Sequence, residues 1–167
     1  DKENVNGSQF AGVFNLVGDS VAGFQAAGLF NVVGKLVDGV QAAGFLNSNL
    51  GTLDGLASAG FMNLNQKKVN GLQLAGFMNA VNDSLDGLQA AGFLNAAKHT
   101  DGLQVAGFLN HATAINGGQI AGFLNNSPQG VKGGQIAGFL NTTDTLEGAQ
   151  IAGFLNHAET VKGVQIA

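Results

Sequence analysis

The sequence predicts an all-β protein, a β-solenoid of about eleven coils with 15 or 16 residues in each coil. Three observations predict this fold. A nine-residue motif, G-x-Q-x-A-G-F-L-N in one-letter code, recurs along the chain with small variations. The spacer between copies has six or seven residues, and the same residue types return at equivalent positions. Short repeats of steady period are typical of solenoids.

The first glycine of the motif marks the start of each repeat. These starts are Gly7, Gly23, Gly39, Gly55, Gly71, Gly87, Gly102, Gly117, Gly133, Gly148 and Gly163. Because they extend over nearly the whole chain, we predict that residues 1–167 form a single repeat array. The last motif stops at Ala167, and no capping segment is visible at either end. We therefore expect a piece of a longer array, or a chain that polymerises end to end.

The strands are predicted from what the motif excludes. Two glycines in every nine residues disfavour a helix, since each costs about 1 kcal/mol relative to Ala in a helix interior. We predict one strand up to the Ala before the second glycine, a corner at Ala-Gly, and a short strand through Phe-Leu-Asn. The spacer varies in length and contains turn-forming runs such as 47–51 and 125–130, so we predict that it is a loop.

The invariant amide residues distinguish two arrangements of these strands. In an antiparallel β-barrel, the alternative fold, equivalent residues of successive strands do not align. In a solenoid each residue lies about 4.8 Å from its equivalent in the next coil, and amide side chains form hydrogen-bonded ladders. The predicted ladders comprise Gln41, Gln73, Gln89, Gln104, Gln119, Gln135 and Gln150, and Asn47, Asn63, Asn79, Asn95, Asn110, Asn125, Asn141 and Asn156.

The predicted core is narrow and apolar. One set of candidates is the residue after each Gln, namely Leu74, Val105, Ile120, Ile136, Ile151 and Ile166. The other set is the Phe-Leu pair, as in Phe93-Leu94 and Phe108-Leu109. Neighbouring residues of a strand point to opposite faces, so the pattern does not decide which member of the pair is inside.

Composition excludes several functions. The net charge of −4, with 11% charged residues, argues against nucleic-acid binding, which needs a basic surface. The chain has no cysteine and hence no disulfide or thiolate-metal site. Residues 102–131 lack charge but contain eight Asn, Gln or His residues, so we predict no membrane-spanning helix.

Metal binding is considered at two sets of residues. In a solenoid His111 and His157 are three coils, or roughly 14 Å, apart, too far to share an ion. We therefore expect these two and His99 to be surface polar residues. In the row before the first glycine, Asp residues would stack on Asp residues, and Ca²⁺ would relieve their repulsion. These weak calcium candidates are Asp38, Asp54, Asp86 and Asp101, but a solvated edge explains them equally simply.

The repeats resemble those of a known family. The segments at 133–141 and 163–167 are similar to the G-V-Q-I-(A)-G-x-x-N repeats of a bacterial surface-repeat family. The likeness covers nearly the whole chain from Gly7, although the first two repeats have Val13-Phe14 and Leu29-Phe30 in place of Phe-Leu. The resemblance implies a bacterial origin, a surface location and an array architecture. It implies no catalytic or ligand-binding residue.

We accordingly expect a non-enzymatic structural or adhesive protein, extracellular or on the cell surface, without a cofactor. Its expected partner is itself, end to end or side by side. The alternative is a binding module that holds carbohydrate, Ca²⁺ or a protein partner on the solenoid surface. An ice-binding solenoid is disfavoured because Thr142, Thr143 and Thr145 do not form regular rows. An enzyme is also disfavoured, since no set of reactive residues interrupts the repeat.

Overall fold

The chain folds as a β-solenoid of about ten turns, the intervals between its eleven motif starts. The computed structural model describes residues 2–167, with side chains from Asn4 onward. Within this range 82% of residues are in strands, and all strand pairings are parallel. The solenoid prediction is therefore confirmed and the antiparallel barrel is wrong. Residues 2–167 contain no helix long and apolar enough to cross a membrane.

Fifteen strands form one continuous hydrogen-bonded system. In chain order they are β1 Lys2–Ala11, β2 Phe14–Ala27, β3 Phe30–Val33, β4 Leu36–Ala43, β5 Leu46–Asn49, β6 Thr52–Ala59, β7 Met62–Asn65, β8 Val69–Ala75, β9 Met78–Ala91, β10 Leu94–Ala106, β11 Leu109–Ala121, β12 Leu124–Ser127, β13 Gly130–Ala137, β14 Leu140–Ala152 and β15 Leu155–Ile166. Each motif glycine lies opposite its equivalent, as Gly102 lies opposite Gly87 and Gly117.

Each coil changes direction at three corners, where the alternation of inward and outward side chains is interrupted. In the coil of β9 the inward residues are Asn79, Val81, Leu85 and Gln89. One residue separates the first two of these positions, whereas three residues separate each of the later ones from the position before it. One corner lies at the second glycine and the Phe after it, one residue later than the predicted Ala-Gly corner. Another lies at the first glycine, whose φ is positive in every motif. The third lies within the spacer.

The spacer corner absorbs the change between 16-residue and 15-residue coils. Ala97 pairs with Val81, whereas His99 pairs with Ser84, so one extra residue is accommodated there without disturbing the neighbouring register. The rest of the spacer is strand rather than loop, and β9, β10, β11 and β14 run through it without a break. The prediction of a looped spacer is therefore wrong for most of its length. The backbone N–H and C=O groups of the spacer form hydrogen bonds with the adjacent coils, whereas those of an exposed loop would form them with water.

The apolar core comes mainly from the spacer. Its largest row lies two residues before each first glycine and comprises Val5, Val21, Val37, Leu53, Val69, Leu85, Ile115, Val131 and Leu146. The Ala before the second glycine adds a row of small, largely buried side chains, such as Ala106 and Ala121. The two remaining inward positions of the motif belong to Gln and Asn.

The predicted position of the core is wrong in one respect. The residue after Gln points outward, with Ile120 and Ile136 41% and 47% exposed, whereas Gln119 is fully buried. The Phe of each Phe-Leu pair also faces solvent, and the Leu is half-buried. The physical reason is the positive φ of the first glycine, which turns the chain so that Gln follows Val or Leu into the interior. Stacking then provides this buried amide with hydrogen bonds.

Thr100 interrupts the apolar core. It occupies the row of Val69 and Val131, is 3% exposed, and its Oγ1 has no hydrogen-bond partner in the described part of the chain. The buried apolar residues form two clusters, one ending at Ala97 and the other beginning at Ala112, with Thr100 between them. A buried hydroxyl without a partner lowers stability.

We expect Thr100→Val to raise the free energy of unfolding by about 1 kcal/mol, because it removes an unpaired hydroxyl and keeps the side-chain shape. Urea unfolding followed by circular dichroism would measure the change. The control is Thr160→Val at an exposed position, where we expect almost no effect. A loss of stability in Thr100→Val would show that the hydroxyl is satisfied in solution.

Candidate functional site

Glutamine side chains form a buried ladder along the rod. In each step the Nε2 of one Gln donates to the Oε1 of the Gln in the preceding coil, at 2.8 Å from Gln104 to Gln89 and from Gln119 to Gln104. The same bond continues to Gln135, Gln150 and Gln165. These amides bury their polar groups without losing hydrogen bonds, so they hold successive coils in register.

Asparagine side chains form a second buried ladder across the Ala-Gly-Phe corner. Asn110 Nδ2 donates to Asn125 Oδ1 of the following coil at 3.0 Å. It also donates to the backbone carbonyl oxygens of Ile120 at 2.7 Å and Gln104 at 3.2 Å. The pattern repeats from Asn15 to Asn156. Each Asn therefore links its own coil to the next one and closes the corner between them.

The two ladders have opposite polarity. Gln donors point toward the preceding coil, whereas Asn donors point toward the following coil. The backbone carbonyls that accept from Asn fix the orientation of its amide, because a flipped amide would set oxygen against oxygen. Every coil that has both amides consequently presents one side-chain donor and one side-chain acceptor on each of its two edges.

The Gln ladder is interrupted where Ala57 replaces Gln. Gln73 Nε2 then turns to Asn65 Oδ1, at 3.0 Å, and Gln41 Oε1 is left without a partner among the described residues. Asn49 and Asn65 occupy inward positions that are apolar in neighbouring coils, and Asn49 donates to Asn65 at 3.2 Å. Asn49 Oδ1 is also buried without a partner among the described residues, so the two inward Asn side chains compensate only in part for the missing Gln.

Phenylalanine rings form an outer row along the rod. Eight rings stack on one another with centroids 4.7 to 5.0 Å apart, and they are Phe45, Phe61, Phe77, Phe93, Phe108, Phe123, Phe139 and Phe154. From Phe61 onward the planes of adjacent rings lie within 2° of each other. Each inner ring therefore covers the faces of its neighbours, and solvent meets ring edges. A sugar that stacks on an aromatic face would find few faces free.

Among residues 4–167 all charged side chains belong to the spacers, which we call the charged side of the coil. All 7 lysines and all 11 acidic residues of the sequence lie outside the nine-residue motifs, in the spacers or before the first motif. The outward side chains of the motifs, among them Phe108, Ile120 and Ile136, are uncharged throughout. We call this outward surface of the motifs the apolar flank. Sequence reasoning missed it, although the lack of charge in every motif was the available signal.

The aspartate row has the predicted stacking. Asp38 lies opposite Asp54, and Asp86 lies opposite Asp101. Nearby groups already relieve the repulsion, since Asn116 Nδ2 donates to Asp101 at 3.1 Å and Lys68 Nζ is 3.7 Å from Asp86. Within the described residues no three His, Cys, Asp or Glu side chains form a group that could hold a metal ion. Calcium binding by this row stays a prediction.

The remaining polar candidates lie along the spacers. His111 and His157 are three coils apart in the strand register, and Asn126 Nδ2 donates to His111 Nδ1 at 3.0 Å. Glu147 Oε1 is 3.2 Å from Lys162 Nζ, and its Oε2 is 3.9 Å from Lys132 Nζ. These exposed ion pairs contribute at most about 1 kcal/mol each.

No family model matches the chain, and comparisons with curated proteins and with solved structures also find no match. The resemblance to bacterial surface repeats therefore rests on the motif alone.

Proposed function

We propose that this chain is a non-enzymatic structural module of a cell surface or an extracellular assembly, a stiff rod whose terminal coils stack on further copies. The observation that carries the proposal is the opposite polarity of the two amide ladders. Because of it, the two edges of a coil are complementary, and each edge offers a donor and an acceptor to another coil of the same sequence. Open backbone edges add parallel strand pairing to this recognition.

The rigidity of the array supports the same role. Two buried amide ladders and a row of stacked rings connect the successive coils, in addition to the backbone hydrogen bonds. Ten turns at about 4.8 Å each give a rod about 48 Å long. The motif resemblance to bacterial surface repeats supports a surface location. A rod of this kind would act as a spacer or as the unit of a filament.

Electron microscopy of the purified chain at increasing concentration tests the assembly. We expect filaments of constant width that lengthen with concentration. Gln9→Glu should suppress them, because a carboxylate replaces the Nε2 donor that the first coil would offer to Gln165 Oε1 of another copy, whereas the Oε1 acceptor for Gln25 is kept. Asn82→Asp is the matched control, since it also replaces an amide with a carboxylate, at an exposed site within the rod.

Two results would contradict the proposal. Monodisperse particles at all concentrations would exclude end-to-end assembly, and filaments of undiminished length in Gln9→Glu would exclude the Gln ladder as its basis. Circular dichroism of each variant would establish that the rod itself is still folded.

A binding module is the second candidate function. The observation favouring it is a groove of about 580 Å³ on the charged side, whose lining includes Asp86, His99, Asp101, Lys132 and Glu147. This volume is in the range of small-molecule sites. A carbohydrate or a protein loop with both charged and polar groups would suit its mixed lining. Saturable binding that Asp101→Ala weakens, in a chain that forms no filaments, would favour this second function.

A further inference from the structure

The proposed end-to-end assembly involves only the coil edges and does not involve the apolar flank. The exposed side chains of the flank include the stacked Phe row and, in the last coils, Ile120, Ile136 and Ile151, which are 41 to 47% exposed. No charged side chain belongs to any motif, so the flank is uncharged along its whole length. Contiguous apolar surfaces of this extent on soluble proteins mark interaction sites.

The size of the flank matches that of a protein interface. The length of the flank follows from ten turns at about 4.8 Å each, and its width from the five residue steps between Val40 and Phe45 at about 3.3 Å each. Their product is an area of roughly 700 to 800 Å². A standard interface buries about 800 Å² on each partner, and the largest apolar patch of a typical monomer is smaller, about 300 to 600 Å². The flank of one copy is thus large enough to form a stable pair with another.

The relief of the flank also favours a second copy. A shallow groove runs beside the Phe ridge over the corners of four coils, with a lining that includes Ala59, Gly60, Ala75, Gly76 and Ala90. Ridge and groove both repeat once per coil, because their residues lie in register from coil to coil. Only a partner with the same repeat can place a ridge in this groove at every coil. A second copy has that repeat by definition.

Residue sizes within the flank are complementary as well. In several early coils the residue after the first glycine is large and the residue after Gln is small, as in Val40 and Ala42. In late coils the sizes are reversed, as in Gly134 and Ile136. Most coils therefore carry one large and one small outward side chain on the same strand, although Leu72 and Leu74 are both large. Two such surfaces can interlock with little void, as close packing requires.

We propose that the apolar flank binds the apolar flank of a second copy, so that rods associate side by side. This pairing is separate from end-to-end stacking, since it uses outward side chains and leaves the coil edges free. The charged spacers of both copies then face water. Both kinds of contact together would give laterally paired filaments.

Sedimentation equilibrium of the Gln9→Glu chain tests the pairing, because this variant is designed to remove end-to-end growth. We expect a reversible dimer. Ile136→Lys should weaken it by at least about tenfold, since it places a charge in the centre of an apolar contact. Ala90→Lys should act similarly from the groove. A longer side chain fits at residue 90, because Leu74 and Val105 occupy the same row.

The matched control is Asn82→Lys, which adds the same charge to an exposed spacer position on the charged side of the coil and should leave the dimer unchanged. Circular dichroism identifies any variant that fails to fold. If either Ile136→Lys or Ala90→Lys is unfolded, the other variant still tests the pairing. A folded Gln9→Glu chain that is monomeric at all concentrations would overturn the proposal. So would a dimer that tolerates both flank variants. Binding of the monomer to phosphatidylcholine vesicles, abolished by Ile136→Lys, would assign the flank to lipid and overturn the pairing.

Discussion

Gly133→Ala should abolish stable folding of the coils around it, with an expected loss of about 4 kcal/mol or more. The φ of Gly133 is +127°, a conformation that other residues adopt only with strain. A Cβ placed there would also lie 2.0 Å from the carbonyl oxygen of Gly117 in the preceding coil. That oxygen belongs to the backbone and cannot move without breaking the coil stacking.

The adjacent residue is a matched control. Gly134 has no positive φ, and the nearest atom to an added Cβ is the carbonyl oxygen of Ala149 at 3.8 Å. Other coils have Leu, Val or Ala in this row, so Gly134→Ala should change the free energy of unfolding by no more than about 0.5 kcal/mol. Urea unfolding of both variants measures the difference. Equal stability of the two would contradict the close approach of coils at the first glycine.

Asn110→Asp is expected to cost about 3 kcal/mol or more at pH 7, although it changes the side-chain volume very little. The variant loses the Nδ2 donor, which bonds Asn125 and the carbonyl oxygens of Ile120 and Gln104. It places a carboxylate among these oxygens in a fully buried position. No positive charge is nearby in the ladder to compensate for it.

The same variant should show a pH dependence of defined sign. Burial beside carbonyl oxygens raises the pKa of the introduced carboxyl above its ordinary value of about 3.9. The folded state then binds the proton more tightly than the unfolded state does. The stability loss should therefore be complete above the folded-state pKa and should decrease as the pH falls toward the unfolded-state value.

Thermal melting from pH 3.5 to 8 would measure this dependence relative to the wild type. Asn82→Asp is again the control, because Asn82 is exposed and its only side-chain bond, to Gln66 Oε1, is also exposed. We expect its melting curve to follow that of the wild type. If Asn110→Asp proved as stable as this control at pH 7, the Asn ladder would not be a source of coil cohesion.

Much of the fold is predictable because self-stacking leaves a direct record in the sequence. A residue that must bond to its own equivalent has to recur in every coil, as Asn110 and Asn125 do, and this recurrence indicates parallel register before any strand is assigned. The constant length of the motif and the variable length of the spacer also indicate correctly where an extra residue can be accommodated, which is beside His99.

The inward face was not predictable by the same reasoning. The expectation that apolar residues lie inside assigned Ile120 and Ile136 to the core, but the chain buries Gln119 and Gln135 instead. Two facts reverse the expectation. The first is the positive φ of the first glycine, which changes the direction of the chain and cannot be inferred from hydrophobic periodicity. The second is that a Gln stacked on another Gln keeps its hydrogen bonds when it is buried. The apolar flank follows from this reversal.

The opposite polarity of the amide ladders has an electrostatic consequence for rods of any length. Aligned amides would add up to a macrodipole, as the peptide units of an α-helix do, with opposite partial charges at the two ends and a dipole moment that grows with each added repeat. Here the dipole of each Gln104-type amide opposes that of the Asn110-type amide in the same coil. Their axial components largely cancel in every coil that has both amides, and repeats can be added or lost without increasing the dipole moment of the rod.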